Sequence, residues 1–391
     1  MAMLRRNLAS IFFYFFFLLN ILFFVRVSAR KSGAKFSRGP NRKRHHGDNV
    51  TALFIFGDSF LDAGNNNYIN TTTFDQANFR PYGETFFGFP TGRFSDGRLI
   101  SDFIAEYAKL PLIPPFLKPG ISKENVYGVN FASAGAGALV ETFKGSVISL
   151  KTQLDHYKKV EKMWRRRYGK EEAKKRISRA VHLVSIGSND YLSPFLTNRL
   201  SLIPRSKSRH VGMVMGNLTA FIREIYKIGG RKFGVLNVPD LGCLPVMRVL
   251  KPEKDGSCIG EASSLATMHN KALSKLLFQL EEQLKGFKFS SLDMNSSLGL
   301  RMRYPSRFGF KEGEGACCGA GEYRGVFSCG GKRLVKEFEL CENPNDYVFW
   351  DSIHFTEKTY EQIATLFWDG EREANSLAVG PYSIKKLFQI P

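Results

Sequence analysis

The sequence contains a serine, a histidine and an aspartate whose surroundings suit nucleophilic catalysis. Ser59 follows the apolar run 52–56 almost directly, at the point where a strand would end, and far along the chain Asp351 precedes His354 by three residues. A serine hydroxyl is a weak nucleophile until a neighbouring base accepts its proton, and an acid can orient that base. Ser59 is therefore the candidate nucleophile, Asp351 the candidate orienting acid and His354 the candidate base.

Two other loops offer hydrogen-bond donors for a negatively charged reacting oxygen. Gly135 lies in the small-residue run 132–138, which lets a backbone N–H approach a ligand closely, and Asn189 follows another apolar run, 182–186. Ligands of open α/β sheets bind outside the carboxyl ends of the strands, so these loops should meet. We expect the N–H of Gly135 and the side-chain amide of Asn189 to donate to the same negatively charged oxygen.

Each of these motifs also has a purely structural interpretation. Gly-Asp-Ser and Asp351 suit helix caps, Gly-x-Asn-Asp suits a turn, small residues suit close helix packing, and His354 would then be a surface residue. Three consecutive candidate strands, however, each end in a residue that suits one reaction centre. Turn chemistry alone rarely produces such a combination, so the catalytic interpretation is favoured.

Candidate strands and helices alternate after Thr51, which predicts a parallel sheet with helices on both faces. The strand candidates are 52–56, 127–131, 182–186, 233–238 and 287–292. The helix candidates are 99–109, 148–167, 211–228, 263–284 and a last one that begins near Thr356.

The first residues are typical of an export signal. Arg5 and Arg6 precede the apolar run 11–25, and small residues follow up to Ala29. An uncleaved anchor is the alternative, but the run is shorter than the ~20 apolar residues that cross a bilayer. We therefore predict a cleaved signal peptide over 1–29 and no transmembrane segment in the mature chain.

The rest of the chain divides into a leader and one domain. Residues 30–48 are polar and basic, which predicts a disordered leader. Residues 49–391 are expected to form a single catalytic domain, with a glycine- and cysteine-rich insertion over 295–345 that shapes a substrate cleft.

Six cysteines and four glycosylation sequons agree with export. An oxidising compartment makes three disulfides plausible, although six cysteines permit 15 connectivities and the sequence does not choose among them. The absence of any CxxC pair disfavours a metal site. The candidate glycosylation sites are Asn49, Asn70, Asn217 and Asn295.

The charge is basic but unevenly distributed. The net charge is +20, and the first 48 residues hold ten Lys or Arg against one Asp, which leaves +11 for the remainder. Such a charge favours anionic cell-wall polysaccharide or lipid surfaces as partners. Export argues against nucleic acid, and the basic stretch 164–179 is interrupted by glutamates, as in a solvated helical face.

The motifs together resemble the plant GDSL esterases and lipases of the Ser-Gly-Asn-His hydrolase superfamily. The resemblance covers nearly the whole chain after Leu53 and rests on four segments in the expected order: FIFGDSFLDAGNNNY, VNFASAGAG, IGSND and YVFWDSIHFTE. It implies a three-layer α/β/α sandwich with a flavodoxin-like, parallel five-stranded sheet. It also implies Ser59, Asp351 and His354 as catalytic residues and an oxyanion hole made of the backbone N–H groups of Ser59 and Gly135 and the side chain of Asn189. No cofactor or metal follows from it.

Two residues depart from the family pattern. Phe60 replaces the leucine of the family name, and Phe355 replaces a proline often found after the catalytic histidine, a change expected to loosen the loop of His354. The elbow Gly-x-Ser-x-Gly of larger lipases is absent from the sequence.

The expected function is a secreted ester hydrolase of the plant apoplast or cell wall that works through an acyl-enzyme. The substrate is an ester of a lipid or of another acylated small molecule or polymer. Two alternatives remain: an acyltransferase with the same catalytic residues, and an inactive protein that binds wall polysaccharide.

Overall fold

Five short apolar segments form parallel strands, each within two residues of its predicted bounds. The computed structural model describes residues 51–120, 126–199, 206–250 and 257–391, except 371, 374, 375 and 378. The predicted signal peptide, the leader and Asn49 lie outside these residues. The parallel strands are β1 Leu53–Gly57, β2 Gly128–Asn130, β3 Val181–Ser185, β4 Lys232–Leu236 and β5 Lys288–Leu292.

Helices and shorter strands surround this sheet. The helices are α1 Ile100–Tyr107, α2 Leu150–Tyr168, α3 Lys170–Arg179, α4 Ser188–Leu196, α5 Lys207–Ile228, α6 Pro245–Leu250, α7 Gly260–Gln283, α8 Met294–Arg303, α9 Glu357–Asp369 and α10 Ile384–Gln389. The further strands are β6 Glu312–Ala316, β7 Cys318–Gly319, β8 Glu339–Leu340, β9 Tyr347–Phe349, β10 Arg372–Glu373, β11 Ser376–Leu377 and β12 Val379–Pro381.

One face of the sheet packs against α2 and α5. Because side chains alternate along a strand, Phe54 and Phe56 of β1 point to the same side. The ring of Phe54 lies 5.0 Å from that of Tyr157 and 5.2 Å from that of Trp164, both on α2. The ring of Phe56 lies 5.1 Å from that of Phe221 on α5. These aromatic contacts are part of the main hydrophobic core.

The opposite face packs against α9 and α10. Gly234 of β4 pairs in register with Leu183 of β3. A Cβ atom at Gly234 would collide with Ile384 of α10 and would lie 3.4 Å from the ring of Phe367 of α9. Helices therefore cover both faces, and the predicted three-layer α/β/α fold is confirmed.

The sheet has a sixth strand that the sequence did not reveal. The strand order is β12-β5-β4-β3-β1-β2, and β12 runs antiparallel to β5 at one edge. This strand has only three residues and ends in Pro381, so no apolar alternation marks it. A proline is tolerated there because an edge strand needs fewer ladder hydrogen bonds.

Three disulfides form, as expected, and the structure decides their pairing. Cys243 bonds to Cys258, Cys317 to Cys341, and Cys318 to Cys329. The last two bonds lie in the cysteine-rich insertion, which is not wholly irregular: it contains α8 and the short strands β6, β7 and β8. Strand β6 pairs with β9, so the insertion is joined to the segment that precedes Asp351.

Within the described ranges, no helix combines the length and the apolar character needed to cross a bilayer.

The basic stretch lies on α2 and α3 and carries surface ion pairs spaced four residues apart. Arg165 lies 3.6 Å from Glu161, and Arg176 lies 3.0 Å from Glu172.

Gly57 is required where β1 turns toward Ser59. Its φ is +146°, and a Cβ atom would collide with the backbone carbonyl of Ser185. We expect Gly57→Ala to lower the free energy of unfolding by about 1–3 kcal/mol or more, because strain and collision add. Urea unfolding measures this. Gly216→Ala is the matched control: that site on α5 has open space and should gain up to about 1 kcal/mol. Equal effects would contradict the role of Gly57.

Candidate active site

Ser59 lies in a tight turn at the carboxyl end of β1. The N–H of Asp58 donates to the carbonyl of Ser185 at 3.2 Å, which ties the turn to the end of β3. The N–H of Phe60 donates to Oδ1 of Asp58 at 3.1 Å. Ser59 itself is only 7% exposed. The turn therefore presents the hydroxyl at the catalytic edge of the sheet while fixing its backbone.

Asp351 and His354 lie in a compact loop between β9 and α9. The N–H of Trp350 donates to the carbonyl of His354 at 2.8 Å, which closes the loop. Oδ1 of Asp351 accepts the backbone N–H groups of Ile353 at 2.9 Å and His354 at 2.8 Å. The helix that follows begins at Glu357, near the predicted start, and the side chain of Thr356 caps it.

An unbroken chain of hydrogen bonds joins the three side chains. Nε2 of His354 lies 2.8 Å from Oγ of Ser59. Nδ1 of the same ring lies 2.8 Å from Oδ1 and 3.0 Å from Oδ2 of Asp351. Both Asp351 and His354 are buried. The structure thus brings together groups that are 295 residues apart in the chain, in the arrangement needed to pass a proton from serine to imidazole.

Asp351 remains ionised despite its burial. Burial alone would raise the pKa of its carboxyl, but the charge and hydrogen bond of His354, the charge of Arg333 and the hydrogen bond of Tyr82 hold that pKa well below its ordinary value. The Tyr82 hydroxyl donates to Oδ2 at 2.7 Å. Sequence reasoning missed Tyr82 and Arg333, since no local pattern connects either residue with Asp351.

Aromatic rings hold the imidazole in place. The ring centroids of Phe94 and His354 are 4.5 Å apart, and those of Phe60 and His354 are 5.8 Å apart. Phe355 is fully buried and stacks on Phe60 at 5.2 Å. The expectation that Phe355 loosens this loop is therefore wrong, because its ring is fixed by packing.

The candidate oxyanion donors lie on the loops that flank Ser59. Strand β1 lies between β2 and β3, so the loops of Gly135 and Asn189 stand on either side of it. Gly135 has φ +78°, and a Cβ atom there would lie 2.5 Å from Oδ1 of Asp75, so only glycine fits. Among the described residues, the N–H groups of Ser59 and Gly135 have no protein acceptor.

The side chain of Asn189 already bridges the flanking loops. Its Nδ2 donates to the carbonyl of Ala136 at 3.0 Å. A primary amide has two N–H donors, so one N–H is left for a ligand. The hydrogen bond to Ala136 fixes the direction of the remaining one.

Two buried aspartates brace the loop that carries Gly135, and sequence reasoning assigned them no role. Oδ2 of Asp62 accepts the N–H of Ala134 at 3.0 Å. Asp190 accepts the N–H of Ala138 at 2.8 Å and the hydroxyl of Thr142 at 2.6 Å. Asp62 lies in the motif that contains Ser59, and Asp190 directly follows Asn189. Sequence reasoning assigned functions to those neighbours instead.

Burial also raises the pKa of several carboxyl groups near the site. The pKa of Asp58 is raised to about 8, chiefly by burial and further by Asp190 and Asp62. Burial raises the pKa of Asp75 to about 7 and those of Asp62 and Asp190 to about 6.

Within the described part of the chain, no group of three or more His, Cys, Asp or Glu side chains is arranged to hold a metal ion.

Three of the candidate glycosylation asparagines lie in the described residues. Asn70 and Asn217 are exposed, the latter on α5. Asn295 is half-buried at the start of α8 and lines a polar cavity of about 410 Å³ between α7, β5 and the loop after β4. This cavity contains none of the candidate catalytic residues.

Comparison with known proteins places this geometry in a family. The model of the GDSL-like lipases and acylhydrolases matches residues 53–367. The chain belongs to this family. Membership confirms the predicted resemblance and the predicted enzyme class, a carboxylic ester hydrolase.

Relatives of this GDSL hydrolase match it over most of their length. It is 69% identical to GDSL esterase/lipase 5 of Arabidopsis thaliana over 388 residues, 99% of this chain and 97% of that protein. It is 51% identical to GDSL esterase/lipase 1 of the same plant, over 88% of this chain and 91% of that protein. The GDSL lipase of Tanacetum cinerariifolium is 46% identical, with coverage of 87% and 88%.

The raised pKa of Asp58 predicts a measurable pH dependence in this GDSL hydrolase. Because the folded-state pKa of about 8 exceeds the ordinary value of 3.8, the folded protein holds a proton that the unfolded chain releases. That contribution to stability is therefore lost as pH rises from about 4 to about 8. Asp58→Asn has no such proton, so its free energy of unfolding should rise relative to wild type over this interval, by at most about 1.4 kcal/mol per pH unit.

Urea unfolding of both proteins at pH 5, 6.5 and 8 measures this difference, and effects of titrating groups that do not interact with Asp58 cancel. Asp155→Asn, exposed on α2, is the control for loss of a surface carboxyl group. A constant difference between Asp58→Asn and wild type would contradict a protonated Asp58.

Proposed function

We propose that Ser59, His354 and Asp351 are the catalytic residues of this ester hydrolase and that the reaction passes through an acyl-enzyme. The observation that carries the proposal is the continuous chain of hydrogen bonds from Ser59 Oγ through the imidazole to the ionised carboxylate of Asp351. This chain supports proton removal from the serine, which is the step that makes a neutral hydroxyl reactive.

In the first half of the reaction, Oγ of Ser59 attacks the ester carbonyl carbon and Nε2 of His354 takes its proton. The resulting imidazolium is stabilised by Asp351 and then protonates the departing alcohol. In the second half, His354 takes a proton from water, whose oxygen attacks the acyl group. The carboxylic acid leaves and Ser59 regains its proton.

The carbonyl oxygen becomes negative in each half-reaction and needs fixed donors. We propose the N–H groups of Ser59 and Gly135 and the Nδ2–H of Asn189 for this role. The absence of a protein acceptor for the two backbone groups, within the described chain, supports the assignment. Donors that are already oriented cost no reorganisation when charge develops.

We also propose that the enzyme is exported to the plant apoplast or cell wall and acts there on a lipid ester or another acyl ester. The signal-like residues 1–29, three disulfides and four sequons support export. The basic surface suits anionic wall polysaccharide or lipid. Sequencing the amino terminus of the exported protein tests this, and a start at Arg30 is expected.

Ser59→Ala should abolish hydrolysis of a short activated ester such as p-nitrophenyl acetate. Without the nucleophile no acyl-enzyme forms, so kcat should fall by about 10⁴-fold or more. Ser101→Ala is the matched control, because it removes a buried hydroxyl on α1 and should leave kcat unchanged. Equal rates in Ser59→Ala and wild type would defeat the proposal and favour an inactive wall-binding protein. Transfer of the acyl group to a polyol would instead favour the acyltransferase alternative.

Asn189→Ala tests the oxyanion assignment separately. Removal of one oxyanion donor typically lowers kcat by about 10²–10³-fold. The Michaelis constant should change little, because the lost hydrogen bond is strongest in the transition state. Steady-state kinetics with the same ester measures both constants. A loss confined to KM would contradict the assignment and place Asn189 in substrate binding.

A further inference from the structure

The carboxylate of Asp351 has a hydrogen-bond partner outside the chain of hydrogen bonds that joins Ser59, His354 and Asp351. The hydroxyl of Tyr82 donates to Oδ2 of Asp351 at 2.7 Å, across 269 residues of sequence. Tyr82 is fully buried, and its burial raises the pKa of its hydroxyl well above the ordinary value, so the hydroxyl stays a donor. The backbone holds Oδ1 and Tyr82 holds Oδ2, which fixes the plane of the carboxylate.

A buried cation lies behind Tyr82. Arg333 is 4% exposed, and its guanidinium lies 3.9 Å from the ring centroid of Phe327 and 5.4 Å from that of Tyr82. Nη1 donates to the carbonyl of Cys329 at 2.7 Å, and Nη2 donates to the carbonyl of Gln76 at 3.1 Å. No carboxylate of the described residues lies within 4.0 Å of it. Burial of a charge without a direct ion pair is costly, so the charge needs a compensating interaction.

That interaction is the longer-range electrostatic attraction between Arg333 and the carboxyl groups of Asp351 and Asp75. The groups that face Asp351 or Arg333 are His354, Tyr82, Tyr360 and Asp75. Burial raises the pKa of Asp75 to about 7, so below pH 7 it is mostly neutral. Asp351 stays ionised, because Arg333 is among the groups that hold its pKa low. At acidic pH, Asp351 is therefore the anion that the Arg333 charge acts on.

The cysteine-rich insertion contains Arg333 and also contacts the residue that precedes Asp351. The N–H of Cys318 donates to the carbonyl of Trp350 at 2.7 Å, one residue before Asp351. The disulfide from Cys318 leads to Cys329, whose carbonyl accepts the hydrogen bond from Arg333. The disulfide thus joins β7, which is hydrogen-bonded to the residue before Asp351, to the segment that precedes Arg333.

We propose that Tyr82 and Arg333 are positioning residues for Asp351, and that the disulfide Cys318–Cys329 keeps them in place. The inference rests on the proposed function of Ser59, Asp351 and His354. Tyr82 fixes the acid that orients the imidazole. Together with His354 and Tyr82, the charge of Arg333 holds the pKa of Asp351 low, so the acid stays ionised at lower pH.

The first test is Tyr82→Phe, which removes the hydroxyl and keeps the ring. With the carboxylate held less firmly, kcat should fall by about tenfold while KM stays constant. The matched control is Tyr157→Phe, which removes an equally buried hydroxyl hydrogen-bonded to His182, far from Asp351. Equal kcat values in the two variants would overturn the role of Tyr82.

The second test is the pH profile of kcat/KM in Arg333→Met and Arg333→Lys. Loss of the charge in Arg333→Met should move the acidic limb to higher pH, because the pKa of Asp351 is then held less low. Arg333→Lys keeps the charge and should restore the limb of wild type. Arg301→Met, at a buried arginine of α8, is the control for loss of a buried guanidinium. Equal loss of activity in both Arg333 variants, with an unmoved limb, would make Arg333 merely structural.

The third test removes the disulfide with Cys318→Ser and Cys329→Ser together. The limb should move as in Arg333→Met, whereas removal of Cys243–Cys258 should leave it in place. If the double variant does not fold, the Tyr82 and Arg333 variants still decide. Wild-type activity no greater than that of Ser59→Ala would sink the proposed function. An active wild type with Tyr82 and Arg333 variants that match their controls would sink this inference alone.

Discussion

The hydrogen bond between Ser59 and His354 is the constraint on which the rest of the structure depends. Its length of 2.8 Å requires the end of β1 and the loop after β9 to meet at one edge of the sheet. Strand β1 lies between β2 and β3, which places the two other loops of the candidate site beside the same hydroxyl. The layers of helices therefore serve to hold this edge rigid, because a small displacement would break the proton path.

Burial makes the same site demanding to build. Polar groups removed from water must find partners, and the loops around Ser59 meet this requirement with carboxylates that accept backbone N–H groups. Asp62 and Asp190 brace the loop of Gly135 in this way. Burial also makes carboxyl groups with few compensating donors retain protons. Asp351 is the exception, because cations and donors surround it. One structural environment thus holds the pKa of Asp351 low and raises the pKa of Asp58, Asp62, Asp75 and Asp190.

The cysteine-rich insertion contributes more than the expected wall of a cleft. Its disulfides and its strand β6 are joined to the segment that carries Asp351. A disulfide stabilises a fold mainly by restricting the unfolded chain, so it suits a segment with few helices of its own. The segment that carries Asp351 is therefore held by hydrogen bonds to an insertion that disulfides cross-link.

The sequence by itself indicated the candidate reactive groups and determined the central layer. Ser59, Asp351 and His354 were found from the chemistry of their side chains, and all five parallel strands from short apolar runs, which are local properties. The signal segment and the leader stay predictions. Only the tertiary structure decided the cysteine pairing, the edge strand β12 and the partnership of Tyr82 and Arg333 with the acid. Such contacts join residues up to 269 positions apart, and a periodic pattern along the chain carries no information about which distant loops meet in space.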